Sequence, residues 1–175
     1  MVKGKKILQL NIIACINDKL VLGKDNGLLY NLPSDLKHFK SLTTDNVVIM
    51  GKNTYDSLPI KPLPKRVNIV LTSDKTLEVS DGHVCQSIEE CLELCRTSYS
   101  DKKIFVIGGA SIYRQFLNLG IVDKMFISHV YDDAEGDVYF PDVFHNGEWE
   151  VEDESLPKDS SKDDKPYSII VYNKK

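Results

Sequence analysis

Three short apolar runs, one of them broken only by Asn68, constrain the fold of this chain more than any other feature of its sequence. They occupy residues 47–50, 67–71 and 104–107. Apolar residues without polar alternation are typical of a strand that is covered on both faces, and each run has the length of a strand. Helical patterns lie between the runs. Strands and helices that alternate in this way predict a doubly wound α/β fold with a mostly parallel central sheet.

The other predicted elements complete a sheet of about eight strands that is flanked by about four helices. The helices are predicted from Pro33 to about residue 42, from residue 51, from a capping box at Ser87 to about residue 97, and from residue 110 to about 119. The additional strands are predicted at residues 7–16, 122–130, 136–141, 149–154 and 167–172. The last two form a predicted hairpin, which ends the sheet with an antiparallel C-terminal strand.

Two segments of the sequence are predicted as loops. Residues 17–32 form a long connection that contains Gly23 and Gly27, and long irregular connections in compact domains are often functional. Residues 155–166 form a charged tract, which we expect to be solvated.

Length and composition favour a single domain with an ordinary hydrophobic core. The 175 residues are 42% hydrophobic and 27% charged, and 22 basic against 26 acidic side chains give a net charge of -4. The sequence has no basic stripe interleaved with aromatic residues, so nucleic acid is not expected as a partner. No apolar run is long enough to cross a membrane, and Gln9 and Asn11 interrupt the N-terminal run that superficially resembles a signal peptide.

The cysteines and histidines give no indication of a metal site. Cys91 and Cys95 lie four residues apart on the predicted buried face of a helix, as expected for core thiols in a reducing cytoplasm. The four histidines are scattered along the chain. We therefore expect a cytoplasmic protein that binds no metal.

A single carboxylate interrupts the apolar face of the first predicted helix. At about 100° per residue, Leu32, Asp35, Phe39 and Leu42 share one narrow arc. An ionised Asp that is buried on that face needs a partner, a proton or a polar ligand. The alternative is a first-turn Asp that only favours the helix dipole. The face on which Asp35 lies favours a functional acid.

Small and polar residues follow each apolar run, at the edge where open α/β sheets bind ligands. They are Gly51, Lys52, Asn53 and Thr54 after the first run, Thr72 and Ser73 after the second, and Gly108, Gly109, Ala110 and Ser111 after the third. Several donor-rich helix starts predict a ligand with several phosphates, such as a dinucleotide. Tight packing or ordinary capping is the alternative for each motif alone, and the Rossmann and Walker motifs are both missing. Arg66, which follows two prolines, is a candidate carboxylate clamp or a surface Arg.

Taken together, these motifs resemble those of dihydrofolate reductase over nearly the whole chain. They lie at residues 13–15, 23, 26–39, 48–54, 62–66, 107–113 and 136–141. The resemblance implies NADPH-dependent reduction of 7,8-dihydrofolate to tetrahydrofolate, with hydride transfer to pterin C6 and protonation of N5. Such an enzyme supplies one-carbon metabolism and thymidylate synthesis. The resemblance also implies a monomer that binds antifolates such as methotrexate or trimethoprim.

On the substrate side, the resemblance makes Asp35 the acid that binds the amino group and ring nitrogen of the pterin. Ser128 would assist it, and Tyr30 would be a second catalytic residue that holds an ordered water. Arg66 would bind the carboxylate of the glutamate tail. The residues implied to line the pterin slot are Ile13, Leu28, Phe39 and Leu58. Residues 17–31 would form a lid that meets Gly136 and Asp137.

On the cofactor side, the resemblance implies Lys52 and Ser73 at the 2′-phosphate and Tyr113 near the nicotinamide. It implies Asn53 and Thr54, with the backbone of residues 110–112, at the pyrophosphate. The implied cofactor-binding residues are Ala14, Gly23, Lys52, Asn53, Thr54, Thr72, Ser73, Ile107, Gly108, Gly109, Ala110, Ser111, Ile112 and Tyr113. A cis peptide bond between Gly108 and Gly109 is implied as well.

Four residues depart from the family pattern. Leu29 replaces a common Pro, Tyr30 replaces Trp, Ala110 replaces Gly, and Ser111 replaces a basic residue. A phenol donates a hydrogen bond as an indole does, whereas Ser111 leaves less positive charge for a 2′-phosphate. Two alternatives stay open on the sequence alone. One is the related reductase of riboflavin synthesis, and the other is a non-catalytic folate or nucleotide binding module.

Overall fold

Strands and helices alternate along the chain in a computed structural model that describes residues 8–25, 27–158 and 161–175. The strands are β1 (Leu10–Asn17), β2 (Val21–Lys24), β3 (Gly27–Leu28), β4 (Val47–Gly51), β5 (Val67–Leu71), β6 (His83–Cys85), β7 (Ile104–Val106), β8 (Lys124–Val130), β9 (Val138–Tyr139), β10 (Trp149–Glu154) and β11 (Tyr167–Lys174). The helices are α1 (Pro33–Thr43), α2 (Lys52–Ser57), α3 (Ile88–Ser98) and α4 (Ala110–Asn118).

Eight of these strands form the central sheet, in the order β10-β11-β8-β1-β7-β4-β5-β6. Each neighbouring pair from β8 to β6 is parallel. β11 pairs antiparallel with both β8 and β10. The predicted doubly wound, mostly parallel sheet with an antiparallel C-terminal strand is therefore confirmed, as is the C-terminal hairpin.

The core lies on both faces of the sheet, as β4 shows most clearly. Val47 and Ile49 belong to one apolar cluster, whereas Val48 and Met50 belong to another. All four side chains are fully buried. Because successive side chains of a strand point to opposite faces, β4 must be covered on both sides, which is what its uninterrupted apolar run predicts. Cys91 and Cys95 are buried free thiols, so their predicted place in the core is also confirmed.

Helix α1 begins at Pro33, as predicted, and its start is held by the tract that we expected to be solvated. Asp163 accepts hydrogen bonds from the backbone N–H of Ser34 at 3.0 Å and from its hydroxyl at 2.6 Å. Asp164 accepts from the backbone N–H of Asn31 at 2.7 Å. The tract is exposed at Asp164, as expected, but Asp163 is half-buried, and both residues bind the start of α1. Residue 32, which caps α1, has no side chain that could accept a hydrogen bond, so the carboxylate of Asp163 serves instead.

The segment 17–32, predicted as one long irregular connection, contains two short strands. β2 lies between β3 and β9 in a separate three-stranded antiparallel sheet. The other strand that the sequence did not predict is β6, which has three residues. Asn26 and residues 1–7, which belong to predicted motifs or strands, lie outside the described residues. Among the helices that the structure describes, none is long and apolar enough to span a membrane.

Candidate active site

Asp35 lies in the first turn of α1 and faces β8. Its Oδ1 accepts a hydrogen bond of 2.5 Å from the hydroxyl of Ser128, a β8 residue that is only 3% exposed. Cys15 of β1 lies beside Ser128 in the parallel register. The structure thus brings together the acid and the hydroxyl that the resemblance implies.

Burial and hydrogen bonding act on the Asp35 carboxyl in opposite directions. Burial disfavours the charged form and raises the pKa of Asp35, whereas the Ser128 hydrogen bond and nearby His38 lower it. The Asp163 carboxylate adds a smaller rise. Burial is the largest effect, so the pKa of Asp35 lies above its usual value of 3.8. Such a carboxyl retains its proton to a higher pH than an exposed Asp does.

Three of the four predicted slot residues share one apolar cluster next to α1. Ile13 is buried in β1, and Phe39 and Leu58 pack against the same cluster. Leu28, the fourth, is 78% exposed in β3, so the structure does not bring it into this cluster. The predicted slot residues other than Leu28 therefore come together from β1, α1 and the residue that follows α2.

The hydroxyl of Tyr30 is held in a polar network at the ends of β1 and β8. It donates to Asp132 Oδ2 at 2.5 Å and accepts from Asn17 Nδ2 at 3.1 Å. Burial and the hydrogen bond to the Asp132 carboxylate raise the pKa of Tyr30 to about 12, although the hydrogen bond from Asn17 acts in the opposite direction. The phenol therefore remains protonated, with a lone pair left for one further donor such as a water molecule.

Arg66 lies directly before β5 and contacts the last residue of α1. Its Nε donates to the carbonyl of Pro64 at 2.9 Å, and Nη1 donates to Thr43 Oγ1 at 3.3 Å. The guanidinium also lies 6.0 Å from the centre of the Phe39 ring. Within the described part of the chain, no carboxylate forms an ion pair with Arg66. The remaining N–H groups of the guanidinium are thus available to an anionic ligand.

The Gly108–Gly109 turn follows β7 and lies against the end of β4. The peptide bond between these glycines is cis, and Gly51 N donates to the carbonyl of Gly108 at 2.9 Å. Gly108 has a φ of 121°, which side chains rarely tolerate. A Cβ on Gly108 would also lie only 3.3 Å from the hydroxyl of Tyr113. That hydroxyl donates to the carbonyl of Ile13 at 2.8 Å, which joins the turn to β1.

Two helices begin at this turn without a side-chain cap. α2 follows Gly51 and α4 follows Gly109, and neither residue has a side chain that could accept from the first N–H groups. These donors are available to an anion, in keeping with the predicted phosphate sites. The candidate cofactor residues around them differ in exposure. The buried ones are Ala14, Gly23, Gly108, Ile112 and Tyr113. The half-buried ones are Thr54, Thr72, Ile107, Gly109 and Ala110, and the exposed ones are Asn53, Ser73 and Ser111.

Lys52, in the first position of α2, is paired with a carboxylate that the sequence did not single out. Its Nζ lies 2.9 Å from Asp74 Oδ2. Asp74 comes directly after Thr72 and Ser73 at the end of β5. The sequence rule that pointed to Thr72 and Ser73, namely that ligands bind beyond strand ends, also applies to Asp74.

The predicted contact between the lid segment and Gly136 and Asp137 is present. Asp137 N donates to the carbonyl of Gly23 at 3.1 Å, and Asp25 N donates to Asp137 Oδ2 at 3.0 Å. Gly136 packs so closely against Val21 and Gly23 that no side chain would fit there. The segment 17–31 is therefore attached to β9 by backbone as well as side-chain hydrogen bonds.

Sequence reasoning missed Asp132 and Asp163 as well as Asp74. Asp132 follows the end of β8, where the strand-end rule would have found it. Asp163 has no comparable sequence signal, because its partner Ser34 lies 129 residues away. Among the residues that the structure describes, no group of three or more potential metal ligands is found.

Comparison with known proteins identifies the family. A sequence model described as dihydrofolate reductase matches residues 9–174. The dihydrofolate reductase of Bacillus subtilis strain 168 is 31% identical over 166 residues, which cover 95% of each chain. That of Staphylococcus haemolyticus is 32% identical over 165 residues, which cover 94% of each. A solved dihydrofolate reductase from Enterococcus faecalis, in complex with NADP(H) and RAB-propyl, superimposes with a TM-score of 0.81 at 29% identity. That match covers 95% of this chain and 96% of the other.

Within this doubly wound sheet, the strand β1 lies between the Asp35 carboxyl, which is bonded to β8, and the Gly108–Gly109 turn, which follows β7. With these matches, the arrangement defines an NADPH-dependent oxidoreductase. The chain belongs to the dihydrofolate reductase family. This assignment replaces the two alternatives that the sequence alone left open, namely the reductase of riboflavin synthesis and a non-catalytic binding module.

Proposed function

We propose that this protein reduces 7,8-dihydrofolate to 5,6,7,8-tetrahydrofolate with NADPH, through hydride transfer to pterin C6 and protonation of N5. The pairing of Asp35 with Ser128 beside an apolar cluster is the observation that carries the proposal. A flat, largely apolar ring with polar groups on one edge needs such a site. The tetrahydrofolate formed would supply one-carbon metabolism and thymidylate synthesis.

Asp35 is assigned to bind the amino group and the ring nitrogen of the pterin with its two carboxylate oxygens. The Ser128 hydroxyl already donates to Oδ1, so it fixes the orientation of the carboxylate. Because burial raises the pKa of Asp35, the group holds a proton more readily than an exposed carboxylate does. We assign Asp35 to deliver that proton to N5, directly or through a water molecule that the Tyr30 hydroxyl helps to hold.

The residues around the Gly108–Gly109 turn fit a dinucleotide. Two helices present uncapped N–H groups there, and a Cβ on Gly108 would close the space in front of Tyr113. Bound NADPH supplies the hydride from C4 of its nicotinamide. Thr54 with the start of α4 is assigned to the pyrophosphate, and Lys52 with Ser73 to the 2′-phosphate. Tyr113 is assigned to the nicotinamide side, where its hydroxyl is fixed by β1.

Two further parts of the molecule complete the proposal. Arg66, whose guanidinium has donors left over, is assigned to a carboxylate of the glutamate tail. The segment 17–31, attached to Asp137, is assigned as the lid that keeps bulk water from the two rings.

Absorbance of NADPH provides the direct test. We expect the purified protein to oxidise NADPH only when dihydrofolate is added, and Asp35→Asn to lose most of this activity at neutral pH. A loss of about 10²-fold to 10⁴-fold is expected for a general acid. Asp101→Asn makes the same chemical change at an exposed turn and serves as the matched control. Intact NADPH binding without any dihydrofolate-dependent oxidation in the parent protein would reject the proposal.

A further inference from the structure

The cation assigned to the 2′-phosphate is already neutralised within the protein. Lys52 Nζ and Asp74 Oδ2 are 2.9 Å apart, and the two side chains are 42% and 29% exposed. A phosphate that approaches Lys52 therefore meets an ion pair rather than a free ammonium group.

Asp74 is held in place by three donors. Its Oδ1 accepts from Thr76 N at 2.9 Å and from Thr76 Oγ1 at 2.6 Å, while Oδ2 faces Lys52. Its own N–H donates to Thr72 Oγ1 at 3.2 Å. The Thr76 and Lys52 hydrogen bonds hold the pKa of Asp74 well below its usual range, so the carboxylate is charged throughout the neutral range. Asp74 therefore places a negative charge at a defined position beside Lys52.

The neighbouring charges do not compensate for this carboxylate. A second acid, Asp56, also acts electrostatically on Lys52. The first turn of α4 contains no charged side chain, and the hydroxyl of Ser111 accepts from Gln115 Nε2 at 3.1 Å. Lys75, next to Asp74, is exposed. Lys52 thus has two carboxylates near it, and the first turn of α4 contains no cation.

We propose that Asp74 sets the cofactor preference of this enzyme by competing with the 2′-phosphate of NADPH for Lys52, so that discrimination against NADH is weak. This inference rests on the proposed assignment of Lys52 to the 2′-phosphate. NADPH and NADH differ only in that group, which carries close to two negative charges at neutral pH. The phosphate must either displace the Asp74 carboxylate from Lys52 or lie beside that carboxylate. Both arrangements cost free energy, and the binding of NADH, which lacks the phosphate, does not include this cost.

The variant Asp74→Asn removes the charge while it keeps the size of the side chain and an oxygen that can accept from Thr76. We expect the ratio of kcat/KM for NADPH to that for NADH to rise about fivefold or more, mainly through a lower KM for NADPH. The kinetics with NADH should hardly change. Glu78→Gln makes the same chemical change at an exposed position of the same loop and should leave the ratio at the parent value.

Calorimetric titration of the same proteins with NADPH and with NADH separates this inference from the proposed activity, because it needs no turnover. A selective gain in NADPH affinity in Asp74→Asn supports the inference even if dihydrofolate is not reduced. An equal gain for both cofactors, or none, in a folded variant overturns it, and Asp74→Ser repeats the test if Asp74→Asn does not fold. Lys52→Ala should weaken NADPH far more than NADH, and equal weakening would also overturn the inference.

Discussion

Replacing Asp35 with Asn should stabilise the ligand-free protein at neutral pH while it removes the activity. Burial raises the pKa of Asp35 in the folded state above 3.8, so the folded protein binds this proton more tightly than the unfolded chain does. The stability that Asp35 contributes is therefore present below about pH 3.8 and is lost as the pH rises through the folded-state pKa. Once Asp35 is ionised, the parent protein holds a partly buried negative charge, whereas the Asn variant does not.

The size of this effect follows from two opposing contributions in the structure. A pKa difference of one pH unit between the folded and unfolded states corresponds to about 1.4 kcal/mol. Burial of Asp35 exceeds the opposing Ser128 hydrogen bond, which an Asn side chain can still accept. We expect the free energy of unfolding to rise by on the order of 1 kcal/mol at pH 8, or roughly 2–4 °C in Tm for a chain of this size.

Urea unfolding of the ligand-free parent and of Asp35→Asn between pH 4.5 and 8 measures this effect. The difference in the free energy of unfolding between the two proteins should grow with pH, and then level off once Asp35 is ionised in both states. Asp101→Asn, at an exposed turn, should show no such growth. A difference that stays constant, or an Asn variant that becomes relatively less stable as the pH rises, would refute the reasoning.

Three further predictions concern residues that contact the acid, the tail and the helix start. Ser128→Ala removes a hydrogen bond that favours the charged carboxylate, so the pKa of Asp35 in the pH profile of kcat/KM should rise. Arg66→Lys should raise KM for dihydrofolate about tenfold, measured at steady state, because an ammonium cannot make a two-pronged carboxylate contact. Asp163→Ala should lower the free energy of unfolding in urea by about 1 kcal/mol, because it removes the acceptor for the Ser34 N–H.

Each of these predictions has an outcome that contradicts it. A pH profile of Ser128→Ala that moves toward acid would show that the hydroxyl does not favour the charged form. Arg66→Lys should leave inhibition by trimethoprim, which has no glutamate tail, close to the parent value; an equal loss for both ligands would argue for a general structural defect. Asp163→Ala with unchanged stability would mean that water replaces the carboxylate at the start of α1 without cost.

The parts of the fold that the sequence predicted well are those with a local physical signal. β4 was predicted because both of its faces are covered, which leaves an unbroken apolar run of residues. Asp35 was predicted because a carboxylate on the apolar arc of a helix needs an explanation. By contrast, β3 has only two residues and both are exposed, so it carries no apolar pattern and the sequence did not predict it. It is defined by pairing with β2 instead.

The parts of the site that the sequence did not predict depend on contacts between distant segments. Asp163 caps a helix that begins 130 positions earlier in the chain, and no local rule relates the two. The pairing of Lys52 with Asp74 joins two strand ends that are adjacent only in the folded sheet. Motif reasoning identified Lys52 as a cation at a helix start, but it did not identify the carboxylate that pairs with this cation.

The position of β11 within the sheet has a consequence for protein synthesis. β11 lies between β8 and β10, so the ribosome must translate residues 167–174 before the edge of β8 can be covered. Until then, β8 pairs only with β1 and exposes its other edge, and an open edge on a largely buried strand is a typical target for chaperones and a starting point for aggregation. A transcript that is cut short before residue 167 would therefore yield an insoluble product rather than a smaller working enzyme.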